Sequence, residues 1–252
     1  MSSKTCSAAL RRIEVGYHML NVESISTIRG RAEVLSHVSM EVREGEVVCL
    51  VGRNGAGKTT MAETIMGHLP MTTGRITLAG RDISRLPPHQ RAKLGLGYTP
   101  DYCGIFPKLT VGENLNLSTL VIEQTPEQTQ ERREQIYAIF PEVRDLESRL
   151  GTNLSGGQRK MVAISRTMTL FPSLIVLDEA FEGLAPVIVS RFTEAVSKIK
   201  DLGISLLIAE SHLAAASKIA DRVYAIERGE VIFEGTPAQI AQDKTVMRTI
   251  SG

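Results

Sequence analysis

Three glycines, one lysine and two hydroxyl residues fall within nine positions, Gly52-Arg53-Asn54-Gly55-Ala56-Gly57-Lys58-Thr59-Thr60. Glycines let a backbone curl until successive N–H groups point inward. Such a cradle suits phosphate oxygens, and a helix beginning at the lysine turns its positive end to the same anion. In this phosphate-loop pattern the Lys58 amine reaches the β- and γ-phosphates and the Thr59 hydroxyl reaches Mg²⁺. At ordinary residue frequencies the bare pattern arises by chance in roughly one chain of this length in a hundred, so its flanks must decide. They favour it: Glu46-Val47-Val48-Cys49-Leu50-Val51 reads as a buried strand, and Thr59 to Met66 has helical spacing.

Two further groups have the composition for phosphate chemistry. Leu154-Ser155-Gly156-Gly157-Gln158 can present a second set of N–H and O–H donors at a helix start, which suits a phosphate supplied from outside the chain. Leu174-Ile175-Val176-Leu177 reads as a strand whose carboxyl end carries Asp178-Glu179. A carboxylate at that end, beside a phosphate loop, can hold Mg²⁺ through water, and Asp178 is that residue. In isolation a Ser-Gly-Gly run is a turn and an Asp-Glu pair is a solvated loop. Their order behind the phosphate loop gives them weight.

The elements that would position these groups alternate between β and α. Leu20 to Thr27 and Val34 to Val42 carry short β-type patterns. Arg75 to Leu78, followed by Ala79-Gly80-Arg81-Asp82, suggests a hairpin, and Pro87-Pro88 opens a short helix. From about Val111 to Leu170 the chain turns polar and helical, with Thr125 to Phe140 as its clearest helix. The β/α alternation resumes with a helix from about Pro186 to Asp201, a strand at Ile204 to Ala209, a hairpin over Arg222 to Glu234 and a helix after Thr236-Pro237.

Composition bounds the reading. With 42% apolar and 23% charged residues the chain is globular, and 252 residues suffice for one large domain or two lobes. A net charge of +1 gives no electrostatic case for binding nucleic acid. Cys6, Cys49 and Cys103 are odd in number and widely spaced, which fits a reducing compartment; Cys49 reads as a small core hydrophobe. The uninterrupted apolar stretches are far shorter than the roughly 20 residues a membrane-spanning helix needs. Met1 to Met19 holds no apolar run of the signal-peptide kind.

The phosphate loop, the Leu-Ser-Gly-Gly-Gln run and the downstream Asp-Glu, in this order, resemble the ATP-binding-cassette proteins, and the resemblance extends from Leu20 to the C-terminus. It implies an α/β fold: a phosphate-loop NTPase core with an antiparallel β subdomain and an inserted helical subdomain. The domain would span 20–252, with the core at about 20–98 and 172–252 and the helical part at about 99–171. Residues 1–19 would form an N-terminal extension, a candidate for disorder. The implied cofactors are ATP and Mg²⁺. Gly52 to Thr60 of one subunit, with Ser155, Gly156, Gly157 and Gln158 of a second, would sandwich each nucleotide. Lys58 and Glu179 would be catalytic, Glu179 as general base toward water, and Thr59 and Asp178 would hold the metal. The implied partners are a second cassette subunit, identical or not, and transmembrane permease subunits, with no nucleic acid. The implied place is the cytoplasmic face of the cell membrane, as a peripheral protein.

Within the family, Gly104 to Leu115 and especially Glu182-Gly183-Leu184-Ala185-Pro186 look like the importer ATPases for branched-chain amino acids and similar amides. Four positions depart from the general pattern. Asp101 follows Pro100 where the family usually has a metal-contacting Gln; it is retained as a metal candidate. The switch histidine is Ser211 in strict alignment and His212 after a slip of one residue. His212 is retained as a candidate γ-phosphate sensor beside the alternative of a plain loop histidine. Ile28 and Arg29 stand where a base-stacking aromatic is expected, and a planar guanidinium can also stack. Ala180 replaces the usual Pro. Two readings compete with the importer motor: a regulatory cassette with little hydrolysis, and a soluble cassette of DNA repair or translation.

Overall fold

The computed structural model describes residues 18–251. Two sheets and an insert of helices make up the fold. Strands β1 (His18–Arg29) and β2 (Ala32–Arg43) form a long antiparallel hairpin, so the folded domain already includes His18 and Met19, and the expected extension lies otherwise outside the described residues. The chain continues through β3 (Val47–Val51), α1 (Lys58–Met66), β4 (Met71–Leu78), β5 (Arg81–Asp82), α2 (Pro88–Lys93) and β6 (Leu96–Thr99). Helices α3 (Val111–Asn116), α4 (Pro126–Ile139), α5 (Pro141–Asp145) and α6 (Gly156–Met168) follow. The last part runs through β7 (Leu174–Asp178), α7 (Pro186–Asp201), β8 (Ser205–Glu210), α8 (Leu213–Ala216), β9 (Arg222–Glu227), β10 (Glu230–Gly235), α9 (Pro237–Gln242) and α10 (Lys244–Ser251).

The central sheet has the order β10-β9-β3-β8-β7-β6 and is parallel except at β10, which pairs antiparallel with β9. The second sheet, β2-β1-β4-β5, is antiparallel. Continuous apolar runs in β3, β7 and β8 are explained by burial on both faces. Val48, Leu50, Val176 and Leu207 pack with α1 and the antiparallel sheet. Their neighbours Val47, Cys49, Val51, Ile175, Leu177 and Ile208 pack on the other side, in a core that includes the helical insert and α7. Cys49 and Cys103 are both free and buried, as small apolar side chains are.

Four helices begin with a capping box, at Thr110/Glu113, Thr125/Gln128, Ser155/Gln158 and Thr236/Gln239. Each reciprocally satisfies two end donors that the helix itself leaves open. At its other end α1 is tied down by the buried Arg91. The guanidinium donates to the carbonyls of Thr64 and Ile65 at 3.0 and 2.6 Å, and to Leu86 and Ser84 at 2.8 and 3.1 Å. The positive charge thus sits at the negative end of the helix dipole and fixes the element that follows the phosphate loop.

The functional consequence lies in the strand ends. β3, β6, β7 and β8 run parallel, with Val51 beside Glu210, Asp178 beside Ala209, and Thr99 beside Leu177. The loops leaving all four therefore converge at one edge, where open α/β sheets bind ligands.

Candidate active site

Gly52 leaves β3 with its α-carbon against the neighbouring strand: a Cβ there would lie 2.4 Å from the Ile226 carbonyl oxygen. No other residue fits without moving β9. Gly57, the residue before α1, has φ 117°, in the region that glycine adopts freely and other residues do not. These two glycines bend the chain from strand to helix and leave Lys58 as the first helical residue.

Lys58 is only 3% exposed, and its ammonium is enclosed by acceptors. Nζ donates to Gly52 O at 2.9 Å, Ser211 Oγ at 3.0 Å and Arg53 O at 3.2 Å, and pairs with Glu179 Oε1 at 3.3 Å. Ser211 Oγ also lies 3.0 Å from Glu179 Oε1 and 2.8 Å from Asn54 Oδ1. A hydroxyl has one proton, so at any instant Ser211 donates to one of these while accepting from Lys58. Three segments distant in sequence therefore share one polar knot.

The sequence left the residue after β8 open between Ser211 and His212. The fold puts Ser211 in the knot. His212 begins α8 with an exposed side chain and makes no side-chain hydrogen bond to cap that helix. It lines an adjoining cleft together with Arg53, Asn54, Glu182 and Ser211 itself.

Asp178 ends β7 and is 2% exposed, and neither carboxylate oxygen has a hydrogen-bond partner. Burial pushes its carboxyl up to about 6. The nearby charges of Asp101 and Glu179 add to the rise, whereas the Thr59 hydroxyl and Lys58 oppose it. A buried carboxylate without a partner is costly unless a cation or a proton compensates it. No cluster of three or more His, Cys, Asp or Glu suited to a metal occurs among the described residues. A buried carboxylate beside the Thr59 hydroxyl is a donor set suited to Mg²⁺ shared between protein and phosphate. Asp178 and Thr59 fit that ion. Asp101 is exposed, engages the Tyr102 N–H at 2.7 Å, and lines the same cleft as Lys58 and Thr59.

Glu179 has φ 50°, an uncommon left-handed conformation for a side-chain-bearing residue. Its N–H is held by Ala209 O at 2.9 Å. A hydrogen bond from the Glu182 carboxyl, then Ser211 and Lys58, hold its own carboxyl below the usual range, and Glu182 is raised in turn. Glu179 is therefore held in its ionised form, in which a carboxylate can orient a water molecule by accepting its hydrogen bond, at some loss of basicity.

Sequence reading missed three residues of this site. Glu182 was noted solely as part of the Glu-Gly-Leu-Ala-Pro run, yet it meets Glu179. Glu210 lies one position beyond the strand expected at Ile204 to Ala209; it ends β8 and is 1% exposed, and its Oε1 accepts from the Phe181 N–H at 3.0 Å. Burial raises its carboxyl to about 7, with Glu179 adding and the Phe181 N–H, Lys160 and Lys58 opposing. Lys160 donates to the carbonyls of Glu179 and Glu182. No signal in a single sequence marks these partners, because each contact joins different elements.

The Glu210 shift has a measurable consequence. The folded value of about 7 lies above the unfolded value of about 4.3, so the native state holds this proton more tightly. The associated stability is complete below the unfolded value and is lost as pH rises through about 7. Glu210→Gln has no such loss and keeps a carbonyl for the Phe181 N–H. Relative to wild type, the variant should gain roughly 2–4 kcal/mol between pH 4.5 and pH 8. Denaturation curves of both proteins at the two pH values measure this, and a constant difference would refute the buried-proton assignment.

Leu154 is buried, whereas Ser155 and Gly156 are exposed. Ser155 caps α6: its Oγ accepts from the Gln158 N–H at 3.3 Å, and its own N–H donates to Gln158 Oε1 at 2.9 Å. A Cβ on Gly156 would meet nothing within 4 Å, so the first turn of α6 is open to approach from outside. The cleft of about 450 Å³ around the phosphate loop is lined by Arg29, Asn54, Gly55, Gly57, Lys58, Thr59, Thr60, Asp101, Glu179 and Glu182 among others, and by none of residues 154–158. Within one chain the two phosphate-binding runs do not share a cleft. Arg29 stands at its rim, paired with Glu63 at 3.2 Å, while Ile28 is 46% exposed.

Comparison with known proteins agrees with this geometry. Residues 35–182 match the ABC transporter family. The lipopolysaccharide export system ATP-binding protein LptB of Haemophilus influenzae is 36% identical over 236 residues, 93% of this chain and 97% of that protein. The high-affinity branched-chain amino acid transport ATP-binding protein BraG of Pseudomonas aeruginosa is 33% identical, over 90% of this chain and 97% of its own length. Among solved structures, a nucleotide-free ATP-binding cassette from an ABC transporter superposes with a TM-score of 0.81 at 28% identity, covering 93% of this chain and 99% of that one. An ATP-hydrolysing, Mg²⁺-using subunit is what this likeness shows, and the chain belongs to the ABC transporter family.

Proposed function

We propose that this chain is the motor of a membrane importer for branched-chain amino acids or related small amides, working as one of a pair of cassette subunits docked on transmembrane permease subunits. The observation that carries the paired arrangement is the separation of the two phosphate-binding runs: the cleft at Lys58 lacks residues 154–158, while Ser155 and Gly156 face outward. A second subunit turned face to face supplies what each cleft lacks, and almost all catalysis of phosphoryl transfer is positioning and charge stabilisation. No helix among the described residues is long and apolar enough to cross a membrane. The proposed motor docks on the permease as a peripheral subunit at the cytoplasmic face of the cell membrane.

Asp178 and Thr59 would hold Mg²⁺, which when bound would supply charge neutralisation for the phosphates. Lys58 binds the terminal phosphates through an ammonium already desolvated. Ser211 and Asn54 hold Lys58 and Glu179 in register. Glu179 orients water and takes its proton.

The solute reading rests on the Glu182-Gly183-Leu184-Ala185-Pro186 run and the likeness to BraG. A second reading, export of a lipopolysaccharide, is favoured by the likeness to LptB at 36% identity. A motor subunit does not touch the solute, so the permease decides. Purification of the tagged chain from membranes should bring down permease subunits of the importer type; recovery of a lipopolysaccharide-export permease would replace the solute assignment. In the same preparation, ATP turnover per chain should rise with protein concentration before it levels off. A rate per chain independent of dilution would remove the paired site.

A further inference from the structure

We infer that Lys160 is a positioning residue that links the two ATP sites of the pair, by tying the helix that serves one site to the catalytic turn of the other; the inference rests on the paired reading above. Lys160 lies on α6, five residues beyond the cap Ser155. Its Nζ donates to Glu179 O at 2.5 Å and Glu182 O at 2.9 Å, and it forms no ion pair among the described residues. A cation that spends its donors on two carbonyls fixes backbone and leaves neighbouring carboxylates free.

The backbone it fixes needs holding. Glu179 has φ 50°, and its carbonyl also accepts the Glu182 N–H at 3.3 Å. With its N–H held by Ala209 and its carbonyl by Lys160, the residue can aim Oε1 at Lys58 and Ser211. Without the ammonium, the Glu179 carbonyl keeps the Glu182 N–H of its own turn as its hydrogen-bond partner.

The same helix reaches two other parts of the site. Its first turn, Ser155 to Gln158, is the part that faces a second subunit's nucleotide. Near its far end Arg166 Nη1 donates to Gly104 O at 2.6 Å, three residues after Asp101, and Thr167 Oγ1 lies 3.1 Å from Tyr98 O. An α-helix advances 1.5 Å per residue, so cap and lysine are about 7 Å apart on one stiff rod. Movement of the cap toward a phosphate therefore shifts the Lys160 anchor and the peptide of Glu179. Occupancy of one site is thereby sensed at the general base of the other.

The test compares wild type, Lys160→Met and Lys160→Arg in the purified chain, with its partner subunit where one co-purifies. Four quantities are measured: affinity for a fluorescent ATP analogue, kcat, the Hill coefficient for ATP, and the melting temperature. Lys160 does not line the phosphate cleft, so Lys160→Met should bind the analogue as wild type does. Its kcat should fall about 10- to 100-fold, the scale of a small misplacement of a catalytic group. Its Hill coefficient should fall toward 1. Lys160→Arg keeps charge and donors and should restore much of both. Wild-type kcat and cooperativity in Lys160→Met would overturn the inference, as would a lowered kcat with unchanged cooperativity, or a loss tracking the melting temperature and shared by Lys160→Arg. A wild type with no cooperativity and no concentration dependence would instead sink the paired reading, and the inference with it.

Discussion

Glu179→Gln is expected to lower ATP turnover by about two to four orders of magnitude, the usual contribution of a positioned general base, without loss of nucleotide affinity. Glutamine keeps the shape of the side chain and can still receive the Ser211 hydroxyl, 3.0 Å from Oε1 in wild type. It cannot take a proton from water. The substitution also removes the negative charge that stands 3.3 Å from the Lys58 amine. That charge competes with phosphate for Lys58 and repels a γ-phosphate, so its removal should tighten ATP binding and let the ATP-bound pair accumulate. Single-turnover hydrolysis gives the first effect, and light scattering with and without MgATP gives the second. Equal, measurable turnover in wild type and variant would move the base elsewhere. Two equally inert proteins would favour a regulatory cassette.

Lys58→Met should reduce ATP affinity by about two to three orders of magnitude, corresponding to roughly 3–4 kcal/mol for one partner of a buried, hydrogen-bonded charge pair. Methionine fills most of the volume, so the change tests the charge rather than a cavity. The cost in the nucleotide-free protein is separate. Gly52 O and Arg53 O lose their donor, and Glu179 loses its counter-ion in a site where Lys58 was 3% exposed. Melting temperature should therefore fall as well. Isothermal titration with MgATP at a temperature where both proteins are folded separates the two effects, and wild-type affinity in the variant would show that the cradle does not grip a triphosphate.

Much of the local structure was legible. A helix expected over Pro186 to Asp201 is α7 with those bounds, and one expected over Thr125 to Phe140 is α4 at Pro126–Ile139. These segments start at Pro or a capping box, and such end signals lie within a few residues of the chain they terminate. The N-terminal strands are longer than their patterns indicated, His18–Arg29 rather than Leu20 to Thr27. Their outer residues, His18, Ile28, Arg29, Ala32, Glu33 and Arg43 among them, are exposed and carry no alternating pattern, and pairing with a neighbour, invisible to periodicity, extends them. The single C-terminal helix expected after Pro237 is two, α9 and α10, divided at Asp243. The Asp243 carboxylate caps the second through the N–H groups of Thr245 and Val246 at 3.0 Å.

The sequence alone determined the chemistry that is written in short runs: a glycine cradle with Lys58 and Thr59, donors at Ser155 to Gln158, and carboxylates at Asp178 and Glu179. Runs of this kind act through adjacent backbone, so order and spacing carry their meaning. The tertiary structure decided which distant side chains share a site. It set Ser211 against Lys58 and Glu179, and His212, one residue on, beside it in the cleft that Arg53 and Asn54 also line. It brought Glu210 into contact with Phe181 and Lys160 with Glu179, and it kept the two phosphate-binding runs of one chain in different places. Such contacts arise from the pairing order of parallel strands and the packing of α6 on them, which depend on the whole chain at once.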